Sequence, residues 1–110
     1  MSDQVILAMT TCPDAASAQA IAAALVQERL ATCVNRLDGV RSSYFWDGRL
    51  QDEAEILLII KTTAGRLGAL RARLGALHPY ELPELVAIPV AGGNERYLEW
   101  VRKGVENKSE

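Results

Sequence analysis

The segment Ile56-Leu57-Leu58-Ile59-Ile60 is the strongest indication of the fold of this chain, because it is apolar at every position. Successive side chains of a β-strand point to opposite faces of the sheet, so this strand needs cover on both faces and is expected to be central. It belongs to a segment from Gln51 to Lys61 that follows Asp47-Gly48, a pair that supplies the positive φ angles of a hairpin turn. Glu53 and Glu55 share one face of the strand and are expected to be solvated. The sequence therefore predicts a hairpin whose second strand runs through the middle of a sheet.

Three further stretches have the composition of strands. Val5 to Thr11 is a short apolar and β-branched run. Thr32 to Asn35 and Val40 to Trp46 are separated by Asp38-Gly39, which predicts a bend or bulge within one long strand. Leu85 to Val90 contains a proline, which cannot donate a ladder hydrogen bond, so this run is expected at an edge or to end its pairing early.

Helical periodicity appears in three places. The segment from Asp14 to Leu30 is rich in alanine, has Asp14 as its N-cap, and carries apolar side chains on one face: Ala18, Ile21, Ala22, Leu25 and Val26. Leucines at positions 67, 70, 74 and 77 predict a second helix that stops before His78, because the residue before a proline is pushed out of the helical region. Asn94 is placed to cap a third, short helix with Tyr97, Leu98, Val101 and Val105.

The order of elements is strand, helix, strand, strand, helix, strand, followed by an added C-terminal helix. This order predicts an α+β fold of the ferredoxin-like, split βαβ (βαββαβ) type, as a single domain over residues 1–110. The two helices of the repeat cover one face of the antiparallel sheet. The central strand is apolar on the other face too, so we expect a second copy of the chain to cover it.

Composition and charge exclude several classes of protein. The net charge is -2 and the pI is about 5.4, whereas nucleic-acid binding usually needs a clustered basic face and a high pI. No apolar run approaches the roughly 20 residues that span a bilayer, and the first residues lack the basic start of an export signal. We expect a soluble, cytoplasmic protein with two free cysteines and no membrane or nucleic-acid partner.

His78 is the sole histidine, and it lies in the proline-rich stretch from His78 to Leu85. Three roles are open from the residues alone: a metal ligand, a proton carrier or a surface side chain. In the predicted topology, Cys12, Trp46 and His78 come to one end of the sheet. Cys33 and Lys61 come to the opposite end, which excludes a disulfide between Cys12 and Cys33 within one chain.

The chain resembles the CutA family of divalent-cation tolerance proteins over nearly its whole length. The matching stretches are Thr10-Thr11-Cys12-Pro13-Asp14, Glu28-Arg29-Leu30-Ala31-Thr32-Cys33-Val34-Asn35, Ser43-Tyr44-Phe45-Trp46-Asp47-Gly48, Leu58-Ile59-Ile60-Lys61-Thr62, His78-Pro79-Tyr80-Glu81-Leu82-Pro83-Glu84 and Tyr97-Leu98-Glu99-Trp100. The resemblance implies a tight homotrimer with its sheets around a three-fold axis, an architecture similar to PII signalling proteins, and binding of copper or another divalent metal in metal tolerance.

The resemblance to a relative with an assigned metal implies three ligand positions: a cysteine before the Pro-Asp pair and two histidines before Pro-Tyr. Here Thr10 and Leu77 occupy two of these positions and His78 the third. Cys12 lies two residues beyond Thr10 and therefore on the same strand face. We expect Cys12, His78 and Glu84, with Glu81 as a further candidate, to bind Cu(II) or another divalent metal, because thiolate and imidazole suit copper or zinc.

The leading hypothesis is thus a non-enzymatic, trimeric metal-binding protein. The alternative is a PII-like sensor of a small ligand or anion, or an enzyme, that uses clefts between subunits containing Lys61, Trp46 and Tyr80. The sequence has no phosphate-binding loop and no dinucleotide glycine pattern, so no organic cofactor is expected.

Overall fold

A computed structural model describes residues 3–106 of the chain. The elements, in chain order, are β1 (Val5–Cys12), α1 (Ala15–Gln27), β2 (Cys33–Trp46), β3 (Arg49–Thr63), α2 (Leu67–Leu77), β4 (Val86–Pro89) and α3 (Glu95–Gly104), with a single 3-10 turn (Ala64–Arg66) leading into α2. The four strands form one antiparallel sheet in the order β2-β3-β1-β4. This is the predicted ferredoxin-like arrangement followed by a C-terminal helix.

The apolar strand β3 is central, as its composition predicts. It pairs with β2 on one side and β1 on the other. Leu58 and Ile60 are fully buried and contribute to a core that includes Ile21 of α1 and Leu70 of α2. The main core therefore lies between one face of the sheet and the helices α1 and α2.

The hairpin and the bulge form where the Asp-Gly pairs predict them. Asp47 and Gly48 have φ angles of 58° and 76° and connect β2 to β3 directly. In β2 the register with β3 shifts between Leu37 and Val40, and Gly39 there has φ 84°. Glycine has no Cβ and so adopts this backbone conformation without steric cost.

The first helix is shorter than predicted. It has Asp14 as its N-cap, but it ends at Gln27 and not at Leu30. Arg29 adopts φ 60°, and Leu30 N–H donates to Leu25 O, so the chain turns back and buries the Leu30 side chain. The prediction for Val26 was also wrong: it lies outside the buried face and is 42% exposed.

The second face of the sheet is covered only at one end. The helix α3 packs there, with Leu98 and Val101 against Val5. Because α1 and α2 lie on the first face, α3 is the helix that covers part of the second face. The rest, here called the open face, consists of half-buried or exposed apolar side chains on directly paired positions: Leu7 with Ile88, Met9 with Ile59 and Val86, and Leu57 with Leu37. Among residues 3–106, no helix has the length and apolar character needed to cross a bilayer.

Candidate functional site

The loop after α2 places His78 against the end of β1. The helix stops because His78 has extended backbone angles, with φ -75° and ψ 138°. Its imidazole is 7% exposed. Nε2 lies 2.8 Å from Thr11 O, and Tyr80 N–H donates to Nδ1 at 3.1 Å. Since an amide N–H can only donate and a carbonyl can only accept, the ring is the tautomer that carries its proton on Nε2.

Cys12 lies next to this contact but is turned into the core. Its side chain is fully buried among the apolar residues under α1 and α2. Burial, with smaller contributions from the charges of Glu55 and Asp14, raises the pKa of the Cys12 thiol to about 11. The group is therefore a protonated thiol at neutral pH, whereas a metal ligand is a thiolate. Cys33 is half-buried, and both cysteines are free, as predicted.

The carboxylate of Glu84 reaches the same end of β1. Thr11 Oγ1 donates to Glu84 Oε1 at 3.5 Å, so Thr11 contacts both His78 and Glu84. Between residues 3 and 106, however, no three His, Cys, Asp or Glu side chains come together as metal ligands. The structure thus brings His78 and Glu84 to Thr11, next to Cys12, but these side chains do not form a complete set of metal ligands.

A cavity of about 580 Å³, here called the loop cavity, opens beside this contact. The loop from Pro79 to Glu84 forms one wall, and the strands form the other with side chains that include Thr11, Ser42, Tyr44, Trp46 and Glu55. Val40 pairs with Glu55, so Tyr44 and Trp46 point from β2 to the face that carries Glu55. The loop cavity therefore lies on the open face, at the end of the sheet where β1 ends. None of the described side chains that line it is a lysine or an arginine.

Glu55 is the residue of this site that the sequence interpretation missed. It is 6% exposed and not solvated as expected. Tyr80 Oη donates to Glu55 Oε2 at 2.5 Å, and burial, this hydrogen bond and the nearby carboxylate all raise the pKa of Tyr80 above its ordinary value. A signal was present in the sequence, because Glu55 shares a strand face with Leu57 and Ile59.

Lys61 lies far from Trp46 and Tyr80 within one chain. Trp46 and Tyr80 line the loop cavity together. Lys61 pairs with Cys33 at the opposite end of the sheet, and its Nζ lies 5.6 Å from the ring centroid of Tyr97 in α3. The antiparallel register separates the two groups within one chain, as the predicted topology indicated. The expected cleft lies between subunits, so the grouping of Lys61 with Trp46 and Tyr80 stays a prediction.

Comparisons with known proteins agree on one family. Residues 6–104 match the family model described as "CutA1 divalent ion tolerance protein". The chain is 46% identical over 101 residues to the divalent-cation tolerance protein CutA of Thermus thermophilus, covering 92% of this chain and 96% of that protein. It is 42% identical over 106 residues to the human protein CutA, covering 96% of this chain and 59% of that longer protein.

Solved structures of the same family share the fold. A crystal structure of CutA from Xylella fastidiosa superposes with a TM-score of 0.91 at 47% identity, covering 94% of this chain and 99% of that one. The divalent cation tolerance protein of Thermus thermophilus gives a TM-score of 0.90 at 44% identity, covering 93% of this chain and 99% of that one.

Proposed function

The chain belongs to the CutA1 divalent ion tolerance family, and from this premise we propose that it acts in divalent-cation tolerance as a homotrimer that binds a metal ion and catalyses no reaction. The observation that carries the proposal is the meeting of His78 and Glu84 at Thr11. Both side chains come from the loop after α2, and both are held at the end of β1 beside Cys12.

The hydrogen bonds of His78 support its role as a ligand. Metal-binding histidines commonly donate their second ring N–H to a carboxylate or a backbone carbonyl, which sets the tautomer and the ring orientation. His78 donates from Nε2 to Thr11 O, so the lone pair is on Nδ1. That lone pair accepts the Tyr80 amide, and a metal ion would take its place after a small movement of the loop.

Cys12 and Glu84 are the proposed partners of His78. A thiolate and an imidazole favour copper or zinc over magnesium or calcium. The thiol is protonated and buried in the chain as described, so its participation requires the loss of a proton and exposure toward the loop. Glu84 is exposed and already oriented toward Thr11, so it needs no such change.

Titration calorimetry with Cu(II) and Zn(II) tests this proposal. His78→Ala is expected to weaken binding by at least about tenfold, since removal even of a supporting residue has an effect of that size. Cys12→Ser and Glu84→Gln should also weaken it, whereas Cys33→Ser and Glu99→Gln, at the opposite end of the subunit and on α3, should not. Unchanged affinity in the His78 variant would place the metal elsewhere.

A sensor of a small ligand is the second candidate function. The volume of the loop cavity favours it, because about 580 Å³ lies within the usual range of small-molecule sites.

A further inference from the structure

We propose that the loop cavity binds a small organic ammonium compound, with the ammonium group at Glu55 and the hydrocarbon part against Tyr44 and Trp46. This inference goes beyond the metal proposal and depends on different side chains. It rests on the size of the loop cavity, on a buried carboxylate without a cation, and on the aromatic wall beside that carboxylate.

The size of the cavity indicates a molecule and not a bare ion. Small-molecule sites usually enclose about 300–1,000 Å³, and the loop cavity encloses about 580 Å³. Metal ions instead need several ligand atoms within about 2–2.6 Å. Within residues 3–106, no three His, Cys, Asp or Glu side chains are grouped in that way, so the carboxylates of the cavity do not form a metal cage.

The charge of the cavity indicates a cation. Glu55 is 6% exposed and borders the cavity, where its Oε2 accepts a hydrogen bond from the neutral Tyr80 phenol. In the part of the chain that the structure describes, the ion pairs use other carboxylates: Glu28, Asp52 and Glu99. A buried carboxylate without a cation is costly. An ammonium group would supply this carboxylate with the opposite charge and with N–H donors.

The aromatic wall indicates that the cation carries hydrocarbon. Tyr44 is 40% exposed and Trp46 is 48% exposed, so neither ring is fully covered by the chain itself. Cations are attracted to the faces of such rings, most strongly to tryptophan. An anion would meet Glu55, Glu81 and Glu84 without any lysine or arginine among the described lining residues. The chemistry of the wall therefore selects organic ammonium compounds over anions.

Calorimetry on the full chain in its native assembly tests the inference with benzylammonium chloride and, as a neutral compound of the same shape, benzyl alcohol. Wild type should bind benzylammonium at least about tenfold more tightly than benzyl alcohol, a ratio that corresponds to about 1.4 kcal/mol. Glu55→Gln keeps the acceptor for Tyr80 but removes the charge, and it should weaken benzylammonium binding at least about tenfold.

Matched variants separate the cavity from general surface effects. Trp46→Leu should weaken binding, while Trp100→Leu, in which a 51% exposed tryptophan is removed from α3, should leave it unchanged. Glu99→Gln is the corresponding control for Glu55→Gln. If Glu55→Gln fails to fold, Trp46→Leu decides the outcome.

Several results would overturn the inference: no binding of benzylammonium to wild type, equal binding of benzyl alcohol, or full binding by the Glu55 or Trp46 variant. Copper titration of the same preparations keeps the two proposals apart. Metal binding without ammonium binding refutes this inference alone, and ammonium binding without metal binding refutes the proposed function alone.

Discussion

At the scale of single residues, hydrogen-bond partners decide what each polar group in this chain is able to do. A carbonyl and an amide from different segments of the chain place the ring proton of His78 on Nε2. Glu55 is a buried carboxylate whose partner is a phenol. Cys12 is a thiol held in its protonated form by burial. Residue type alone leaves each of these states open.

The pH dependence of the N-cap of α1 is a prediction at this scale. Asp14 accepts a hydrogen bond from Ser17 N–H at 2.8 Å, and this bond chiefly lowers the pKa of Asp14 below its ordinary value of 3.8. A carboxylate with a lowered pKa in the folded state stabilises the protein above its unfolded pKa and loses that effect as pH falls through the folded value. Asp14→Ala should therefore lower the melting temperature at neutral pH, and the difference should shrink in acid below about pH 4.

Thermal unfolding by circular dichroism across that pH range measures the effect. Gln19→Ala changes an exposed side chain of the same helix and removes no titrating group, so its small effect should be independent of pH. The assignment of the charged cap would be contradicted if the melting temperature of Asp14→Ala stayed below that of wild type by the same amount down to the lowest pH.

At the scale of elements, close contact decides how α3 attaches to the sheet. Thr32 Oγ1 donates to Val101 O, and Gly104 lies against the same threonine side chain. A Cβ at Gly104 would overlap the atoms of Thr32. In α2, by contrast, a Cβ at Gly75 meets no atom within 4 Å. Two helical glycines of the same chain thus differ in whether they tolerate a methyl group.

A pair of substitutions tests this difference. Gly104→Ala should destabilise the protein by about 1–3 kcal/mol, because overpacking forces α3 or Thr32 to move. Gly75→Ala should be neutral or stabilising by up to about 1 kcal/mol, because alanine is the better helix former. Guanidinium unfolding at one fixed protein concentration measures both, and equal effects of the two substitutions would rule out the proposed contact at Thr32.

At the scale of the whole molecule, the open face governs assembly. Leu57, Ile59 and Met9 are only half-buried in one chain, and Leu37 is 41% exposed on the same face. Contiguous apolar surface of this kind marks interaction sites on proteins. The proposed homotrimer would cover it with further copies of the chain.

Light scattering tests the assembly directly. Wild type should have about three times the chain mass of 12.0 kDa, since closed cyclic symmetry is expected. Leu37→Glu should dissociate the trimer while leaving the secondary structure intact, because this side chain is exposed in the single chain. Val26→Glu changes a residue of nearly equal exposure, 42%, on the helical side and should remain trimeric. A monomeric wild type, or a trimeric Leu37→Glu, would contradict this arrangement.

Five features of the fold could be predicted from the residues alone: the order of the elements, the central position of β3, the turn at Asp47-Gly48, the bulge near Gly39 and the N-cap at Asp14. Each depends on local physics: strand alternation, backbone freedom of glycine, or a cap that reaches three residues along the chain. The predicted topology also places Lys61 and Trp46 at opposite ends of the sheet, and the antiparallel register agrees with it.

The hydrogen-bond partners of the site residues, and the side of the sheet on which α3 packs, depend instead on contacts between distant parts of the chain. His78 meets Thr11 from 67 positions away, and Tyr80 meets Glu55 from 25 positions away. Such partners are chosen by how the helices, loop and strands pack together, and no local pattern in the chain encodes them. Glu55 is buried because the loop covers it. Strand alternation puts Glu55 on the face of Leu57 and Ile59 but does not show that the loop covers it.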